Sequence, residues 1–187
     1  MDHYLEIRLL PDPEFPAPML MSALFGKLHR GLVEHGGGTI GVSFPDVRDG
    51  SRTLGHRLRL HGSAAELQRL MQIGWTQGLR DHADFGAPAP VPANPSYRVV
   101  RRVQAKSNPQ RLRRRLAARK GIDMVAAAQA IPDSAAERLD LPHVVLSSRT
   151  TGQRFPLFIE HRPLEAAPVA GHFTAYGLSQ TATVPWF

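Results

Sequence analysis

The chain has 187 residues and a mass of 20.6 kDa, which is enough for one large domain or two small ones. The absence of cysteine excludes disulfides, thiolate catalysis and cysteine zinc sites. The longest apolar run, residues 124–128, is far shorter than a membrane span, and the first residues lack the pattern of a signal peptide. We therefore expect a cytoplasmic protein that is not embedded in a membrane.

Positive charge is concentrated in one part of the chain. Lys and Arg number 23 and Asp and Glu number 16, which gives a net charge of +7. Ten of the basic residues lie between Arg98 and Lys120, where no acidic residue occurs. Most of them are arginines, whose planar guanidinium groups form paired hydrogen bonds with phosphates and base edges. This pattern predicts a nucleic-acid partner.

The first half of the chain alternates between strand and helix patterns. Leu5, Ile7 and Leu9 alternate with polar residues, which is typical of a strand. The predicted elements are a strand over 5–9, a helix over 19–33, strands over 39–44 and 54–61, a helix over 64–73 and a strand over 79–85. The order β-α-β-β-α-β is typical of a ferredoxin-like domain, which we assign to residues 1–94, with a proline-rich linker over 87–95.

The second half of the chain predicts a different domain over residues 95–187. Asn108 at the start and Gly121 at the end frame an Arg-rich helix over about 109–120. Asp123 is placed to cap a further short helix. The other predicted elements are extended segments over 97–105 and 173–179 and a β-hairpin over 143–148 and 154–161. We therefore predict the α+β class for the whole chain.

The Arg-rich helix has only a narrow apolar side, Leu112 and Leu116, and no acidic residue offsets its charge. One interpretation is a solvated basic surface. The other is a docking surface for a polyanion, with strongly salt-dependent binding. A short helix fits the major groove of B-form DNA, whereas it reaches the deep groove of A-form RNA only near a helix end, bulge or loop. Composition leaves DNA and RNA both open.

Nine histidines occur, but none belongs to a metal motif such as HExxH, and the sequence has no compact acidic cluster or phosphate-binding glycine loop. We therefore expect no metal and no cofactor. His29 lies about 80° from the centre of the apolar side of the first helix, at the boundary between core and solvent. It is either an ordinary boundary histidine or a group that transfers protons near neutral pH.

RNA cleavage proceeds without a metal when the ribose 2′-OH serves as the nucleophile. The reaction then needs a base, cations that stabilise the developing charge, and a hydroxyl that orients the ribose. The candidate hydroxyls are those of Ser147, Ser148, Thr150, Thr151 and Tyr176. Their spacing does not rank them, and each is also compatible with ordinary strand or turn polarity.

Several short motifs occur in one order along the whole chain. They are MDHYL at 1–5, LFGKLH at 24–29, RVQAKSNP at 102–109, TGQRF at 151–155, YGLS at 176–179 and VPWF at 184–187. Together with the Arg-rich helix, they make the chain resemble the CRISPR-associated endoribonuclease family of type I-F (Csy) systems. The resemblance implies metal-independent cleavage of precursor CRISPR RNA at the 3′ base of the repeat stem-loop. The products would carry a 2′,3′-cyclic phosphate and a 5′-hydroxyl, and the enzyme would retain the processed RNA.

By position, the resemblance implies that His29 acts on the 2′-OH proton, that Ser148 holds the ribose and that Tyr176 positions His29. It assigns RNA contacts to Arg102, Gln104, Ser107, Arg111, Arg114, Arg115, Arg119, Lys120 and Phe155. Of these, Arg102 and Gln104 would read base edges low in the stem.

The implied role of Phe155 is to stack on the end of the stem. It has a second interpretation as a strand core residue, because it alternates with two other apolar residues. Pro156 favours an edge strand, where a ring can meet RNA. Two positions depart from the family pattern, since Ala118 replaces an arginine and Lys120 replaces a histidine. These departures bear on the phosphate contacts and not on the reaction.

The resemblance also implies partners. The protein would bind the stem-loop repeat RNA, in precursor and mature form, and would join other type I-F interference-complex proteins, while being a monomer when free. Two rival hypotheses stay open. One is a non-catalytic RNA-hairpin-binding protein, in which His29 is incidental, and the other is a regulator that binds DNA with the Arg-rich helix.

Overall fold

The computed structural model describes residues 1–104, 109–132, 139–148 and 152–187. In these ranges the chain forms four helices, α1 (Ala17–His35), α2 (Ala64–Gln72), α3 (Pro109–Lys120) and α4 (Met124–Ala130). The same ranges contain nine strands, β1 (His3–Leu9), β2 (Gly41–Ser43), β3 (Arg57–Gly62), β4 (Ala83–Phe85), β5 (Ala89–Pro90), β6 (Ser96–Val103), β7 (His143–Ser147), β8 (Arg154–Glu165) and β9 (Thr183–Trp186). The strands form two antiparallel sheets, so the predicted α+β class is confirmed.

The first sheet has the strand order β2-β3-β1-β4, and β5 pairs with β1. Leu5, Ile7 and Leu9 of β1 are all at most 4% exposed, which confirms the predicted alternation. Leu5 lies opposite Leu60 of β3 in the antiparallel register. Both α1 and α2 pack against this sheet and bury its apolar side chains.

The proline-rich segment over 87–95 is more than a linker. Within it, Ala89–Pro90 forms β5 and pairs with the start of β1. The Val91 N–H then donates to the carbonyl of Asp2 at 2.8 Å. The linker prediction is therefore wrong for these residues. Proline favours extended backbone, and a strand of two residues needs few N–H donors.

Both helices predicted in the first half are confirmed, and each has a capping hydrogen bond at one end. α1 ends at Gly36, whose φ is 73° and whose N–H donates to the Leu32 carbonyl at 3.2 Å. α2 begins after Ser63, whose hydroxyl accepts the Glu66 N–H at 3.2 Å. α1 is two residues longer at each end than predicted, and its apolar side faces the core.

The second sheet has the strand order β7-β8-β6-β9. Leu146 lies opposite Phe155, which confirms the predicted hairpin of β7 and β8. β8 is an inner strand in this order, so the edge strand predicted from Pro156 is wrong. Opposite Pro156, the Val145 N–H donates to the Ser22 hydroxyl and not to β8. Val145 and Pro156 are therefore a pair without main-chain hydrogen bonds between β7 and β8. The missing N–H of Pro156 costs no hydrogen bond in the pairing of these two strands.

The extended segment predicted over 173–179 is also wrong. A turn lies there, in which the Gly177 N–H donates to the Thr174 carbonyl at 2.8 Å. Gly177 has a φ of 68°, a left-handed conformation that interrupts an extended run. The last strand is β9, which pairs with β6.

The end of the chain covers the polar face of β3. Leu58 is buried on one face of this strand, and Arg59 and His61 are buried on the other, at 7% and 0% exposed. The Arg59 guanidinium donates to the Phe187 carbonyl at 2.8 Å and to the Glu6 carboxylate at 2.9 Å. Side chains of β3 therefore alternate between its two faces, and Leu58 on one face and Arg59 and His61 on the other are all buried.

The chain divides into two compact units. The first comprises Met1–Arg102 with Leu141–Phe187, and the second comprises Val103–Asp140. The first unit has one continuous hydrophobic core, to which strands of both sheets contribute. The predicted domain boundary at residue 94 separates the strands of the first sheet from those of the second, and it stays a prediction. In the described ranges, no helix is long and apolar enough to cross a membrane.

Candidate active site

The first unit contains a cavity of about 1060 Å³ beside α1. Its walls come from the exposed side of α1, the loop after α2, the β7–β8 hairpin and the turn at Tyr176. Four predicted site residues line it, namely His29, Ser148, Phe155 and Tyr176. These residues are far apart in sequence, so the fold brings them together.

His29 lies on α1 between the buried side and the exposed side, as its helical position predicts. Its Nδ1 is 2.8 Å from the main-chain carbonyl oxygen of Ala175. A carbonyl oxygen only accepts hydrogen bonds, so Nδ1 carries a hydrogen and donates it. In the neutral imidazole, Nε2 is then the unprotonated nitrogen and can accept a proton.

Tyr176 holds the His29 ring from a second direction. The two rings are stacked, with centroids 4.0 Å apart and an interplanar angle of 12°. Tyr176 also stacks on Phe25, a buried residue of α1, at 6.2 Å and 5°. The guanidinium carbon of Arg102 lies 5.9 Å from the centroid of the Tyr176 ring. The tyrosine ring therefore connects His29 to the rigid core.

The turn over 174–178 supplies both contacts to His29. The Thr174 N–H donates to the Leu178 carbonyl at 2.9 Å, and the Val42 N–H donates to the Gly177 carbonyl at 2.8 Å. A Cβ at position 177 would lie 2.2 Å from Cγ2 of Val42. Only glycine allows the turn to pack this closely against β2, and this packing presents Ala175 and Tyr176 to the histidine.

Ser148 lies directly after β7, at the closing end of the hairpin. Its N–H donates to the Gln153 carbonyl at 2.9 Å, and its carbonyl accepts the Gly152 N–H at 2.8 Å. Gly152 has a φ of 65°, which suits a tight closure. Main-chain hydrogen bonds thus fix Ser148 in the wall of the cavity that contains His29. Of the other candidate hydroxyls, Ser147 also lines the cavity, and those at 150 and 151 lie outside the described residues.

Phe155 is half-buried, packs against the core and also lines the cavity. Its two interpretations, core residue and ring available to a ligand, are therefore compatible. The half-buried side chain contacts the core and also borders the cavity.

The remaining residues with predicted RNA contacts lie in several elements. Arg102 is half-buried in β6, and its Nε is buried without a hydrogen-bond partner among the described residues. Gln104 is exposed just after β6. Ser107 lies outside the described residues.

In the second unit, α3 has the predicted bounds, and none of its described side chains is buried. Its exposed basic residues are Arg111, Arg114, Arg115, Arg119 and Lys120. Arg113 differs from these, since its Nε donates to the Ile131 carbonyl at 2.7 Å and ties α3 to the end of α4. α4 begins as predicted, because the Asp123 carboxylate accepts the Ala126 N–H at 2.7 Å.

Comparison with known proteins gives the family. Residues 4–187 match the family described as CRISPR-associated protein (Cas_Csy4). The chain belongs to this family. It is 57% identical to the CRISPR-associated endonuclease Cas6/Csy4 of Pseudomonas aeruginosa (strain UCBPP-PA14), and 52% identical to the protein of the same description from Escherichia coli (strain UTI89 / UPEC). Both comparisons span 187 residues and the full length of both chains, so the resemblance noted from the motifs is confirmed.

The sequence analysis did not identify two features of this candidate site. The carbonyl of Ala175 is a main-chain group, which every residue type carries. The Lys27 ammonium donates to the Gln77 carbonyl and fixes the wall of the cavity on the side of the loop after α2. Lys27 belongs to the motif over 24–29, but the sequence identified it only as one cation among many.

Proposed function

We propose that this chain is a metal-independent endoribonuclease that cleaves precursor CRISPR RNA at the 3′ base of the repeat stem-loop. The observation that carries the proposal is the orientation of His29. With Nδ1 bonded to the Ala175 carbonyl, Nε2 is the nitrogen left for a substrate, and the Ser148 hydroxyl belongs to the same cavity. The names of its relatives, which describe CRISPR-associated endonucleases, support the same class of activity.

In the proposed reaction, Nε2 of His29 accepts the proton of the ribose 2′-OH. The 2′-oxygen then forms a bond to the adjacent phosphorus, and the bond from phosphorus to the 5′-oxygen of the next nucleotide breaks. A 2′,3′-cyclic phosphate remains on one product, and the departing oxygen takes up a proton and becomes a 5′-hydroxyl. Ser148 holds the ribose by a hydrogen bond, and Tyr176 positions the histidine ring.

Recognition of the RNA is proposed for the arginine-rich parts of the chain. Arg102 and Gln104 read base edges, since each side chain can form two hydrogen bonds to a base. Phe155 stacks on the end of the stem with the open side of its ring. Arg115 and Arg119 lie in the groove of the stem, and Arg114 joins them on phosphates. Ser107, Arg111 and Lys120 make further RNA contacts. Contacts of this number keep the processed RNA bound after cleavage.

The finer features of the fold and the partners belong to the same proposal. A ferredoxin-like arrangement of the first domain is supported by the order β-α-β-β-α-β and by the sheet order β2-β3-β1-β4. We propose that the protein acts in the cytoplasm, is a monomer when free, and joins other proteins of a type I-F interference complex when it carries the processed RNA.

Cleavage of a labelled hairpin repeat RNA in excess EDTA tests the reaction. We expect the wild type to cut at the 3′ base of the stem, and His29→Ala to lose at least about a thousand-fold in single-turnover rate. The affinity of His29→Ala for the uncut RNA should stay within about threefold of wild type, because the imidazole is assigned to proton transfer. Mass spectrometry of the products checks for the cyclic phosphate and the 5′-hydroxyl.

His56→Ala is the matched control, because His56 is exposed and its hydrogen bonds to Asp46 and Leu9 use its main-chain N–H and carbonyl, which alanine keeps. It should cleave at the wild-type rate. Tight binding of the hairpin without cleavage by any variant would instead identify a non-catalytic hairpin-binding protein. Preference for duplex DNA over hairpin RNA in a competition assay would identify the DNA-binding regulator.

A further inference from the structure

One side-chain hydrogen bond joins the helix that carries His29 to the strand that leads to Ser148. The Ser22 hydroxyl of α1 accepts the Val145 N–H of β7 at 3.1 Å. The same hydroxyl donates to the Pro18 carbonyl one turn earlier in α1, at 2.7 Å. Both its proton and a lone pair are therefore engaged, and the hydroxyl has a defined direction.

The Val145 N–H has Ser22 as its partner because of the sheet register. β7 is an end strand of the second sheet, and β8 is its neighbour. In an antiparallel pair, the main-chain groups of every second residue bond to the neighbouring strand. Ser148 bonds to Gln153 in this way, and Val145 lies three positions earlier, so its N–H points away from β8. Its N–H therefore points to the open edge of the sheet, where α1 packs. An edge N–H that a helix covers needs a polar partner, and here a side chain of that helix supplies it.

The distance along α1 from Ser22 to His29 is about the same as the distance along the strand from Val145 to Ser148. His29 is seven positions after Ser22, which is about two turns and about 10 Å along the same side of α1. Ser148 is three positions after Val145, just past the end of β7, which is also about 10 Å of extended chain. Ser22, His29 and Ser148 all line the same cavity. The hydrogen bond between Ser22 and Val145 is therefore placed to fix the position of β7 along α1.

We propose that Ser22 is a positioning residue, which aligns the base of His29 with the hydroxyl of Ser148 through its bond to the Val145 N–H. This inference rests on the proposed function. Without the hydroxyl, the β7 edge loses its polar contact to α1, and the strand end that carries Ser148 can shift relative to the helix. Cleavage depends steeply on such alignment, whereas binding of the stem does not require it.

Substitution by threonine and by valine gives a matched pair, because the two side chains have the same shape and only threonine has the hydroxyl. We expect Ser22→Val and Ser22→Ala to lose about tenfold or more in single-turnover cleavage rate, while the dissociation constant for the uncut hairpin changes less than twofold. Ser22→Thr should cleave within about threefold of wild type. In hydrogen exchange followed by NMR, the Val145 amide should exchange faster in Ser22→Val than in Ser22→Thr.

Ser63→Ala is the control for a general loss of stability. It removes a serine hydroxyl that accepts a main-chain N–H, that of Glu66, at a site outside the cavity. Its cleavage rate should match wild type. Equal rates for Ser22→Val and Ser22→Thr, or equal losses in Ser22→Ala and Ser63→Ala, would overturn the positioning role. A wild type that does not cleave would instead overturn the proposed function, and the role of Ser22 with it.

Discussion

The His29 ring is held from two directions, and this determines which of its nitrogens can act. The Ala175 carbonyl accepts from Nδ1 at 2.8 Å, and the Tyr176 ring covers one face at 4.0 Å. Tyr176 rests in turn on Phe25, which is 1% exposed. Because both contacts come from one turn, the orientation of the catalytic candidate depends on loop packing as much as on α1.

The contribution of Tyr176 is expected to come from its ring and not from its hydroxyl. Tyr176→Phe keeps the stacking surface and should cleave within about threefold of wild type. Tyr176→Ala removes the stack and should lose about tenfold to a hundredfold in single-turnover rate, since the imidazole then samples unproductive orientations. Hairpin affinity should be similar in both variants. A large loss in Tyr176→Phe would show that the hydroxyl takes part in the reaction.

Among the elements, α3 separates its arginines into two groups. Arg113 donates to the Ile131 carbonyl at 2.7 Å and holds α4. Arg115 is exposed, and so are the other basic residues of α3 that are assigned to RNA. A helix without any buried residue gains little from core packing. Its exposed charge is therefore best explained by a polyanionic ligand, in agreement with the proposed stem-binding role.

Arg115→Ala tests that role of α3. We expect hairpin affinity to fall about threefold to tenfold. The slope of log affinity against log salt concentration should decrease in magnitude by about one, the value for one phosphate contact. Arg80→Ala is the control, because it removes an exposed positive charge from the first unit. Its affinity and salt slope should equal those of wild type. An unchanged slope in Arg115→Ala would remove this residue from the phosphate contacts.

Over the whole molecule, burial determines the charge state of two histidines outside the cavity. Burial lowers the pKa of His61 to about 3, with the nearby Arg59 acting in the same direction. The His61 ring is bonded to the Ser43 hydroxyl at 2.8 Å. Burial also lowers the pKa of His161 to about 4, and the charge of Arg98 adds to this effect. The folded protein therefore keeps both rings neutral at neutral pH.

These shifts predict a loss of stability in mild acid. In the unfolded chain each histidine takes up a proton near pH 6.5, whereas in the folded chain it does so only near pH 3 to 4. The stabilisation is therefore present above about pH 6.5 and is lost as the pH falls towards 4. We expect the free energy of unfolding to fall by about 1 kcal/mol per pH unit for each of the two histidines between pH 6 and 5.

Urea unfolding of His161→Phe at pH 7 and pH 5 checks this expectation, because the variant removes one of the two titrating groups. The difference in unfolding free energy between the two pH values should be smaller than in wild type. His56→Phe, at an exposed position, should keep the wild-type difference. Equal pH dependence in wild type and His161→Phe would contradict the assignment. Against the opposing effect of burial, hydrogen bonds and nearby arginines lower the pKa of the Asp46 and Glu160 carboxyls, so these two groups stay ionised between pH 7 and pH 5 and do not obscure the histidine effect.

The sequence by itself determined the features that depend on neighbours along the chain. Local periodicity, capping and turn chemistry predict the α+β class, the apolar side of α1, the Asp123 cap and the bounds of α3. The basic segment predicted a polyanionic partner, because clustered charge is visible without a fold. The motifs predicted the family, which the comparisons confirm.

Only the tertiary structure decided which groups meet. The bond of His29 to the Ala175 carbonyl joins residues 146 positions apart, and that of Ser22 to Val145 joins residues 123 apart. The inner position of β8 and the pairing of β9 with β6 also depend on distant partners. Alternation and helical spacing report which side of an element is apolar, but contain no information about the element packed on that side. Main-chain donors and acceptors are identical in every residue type, so their pairing appears only when the chain is folded.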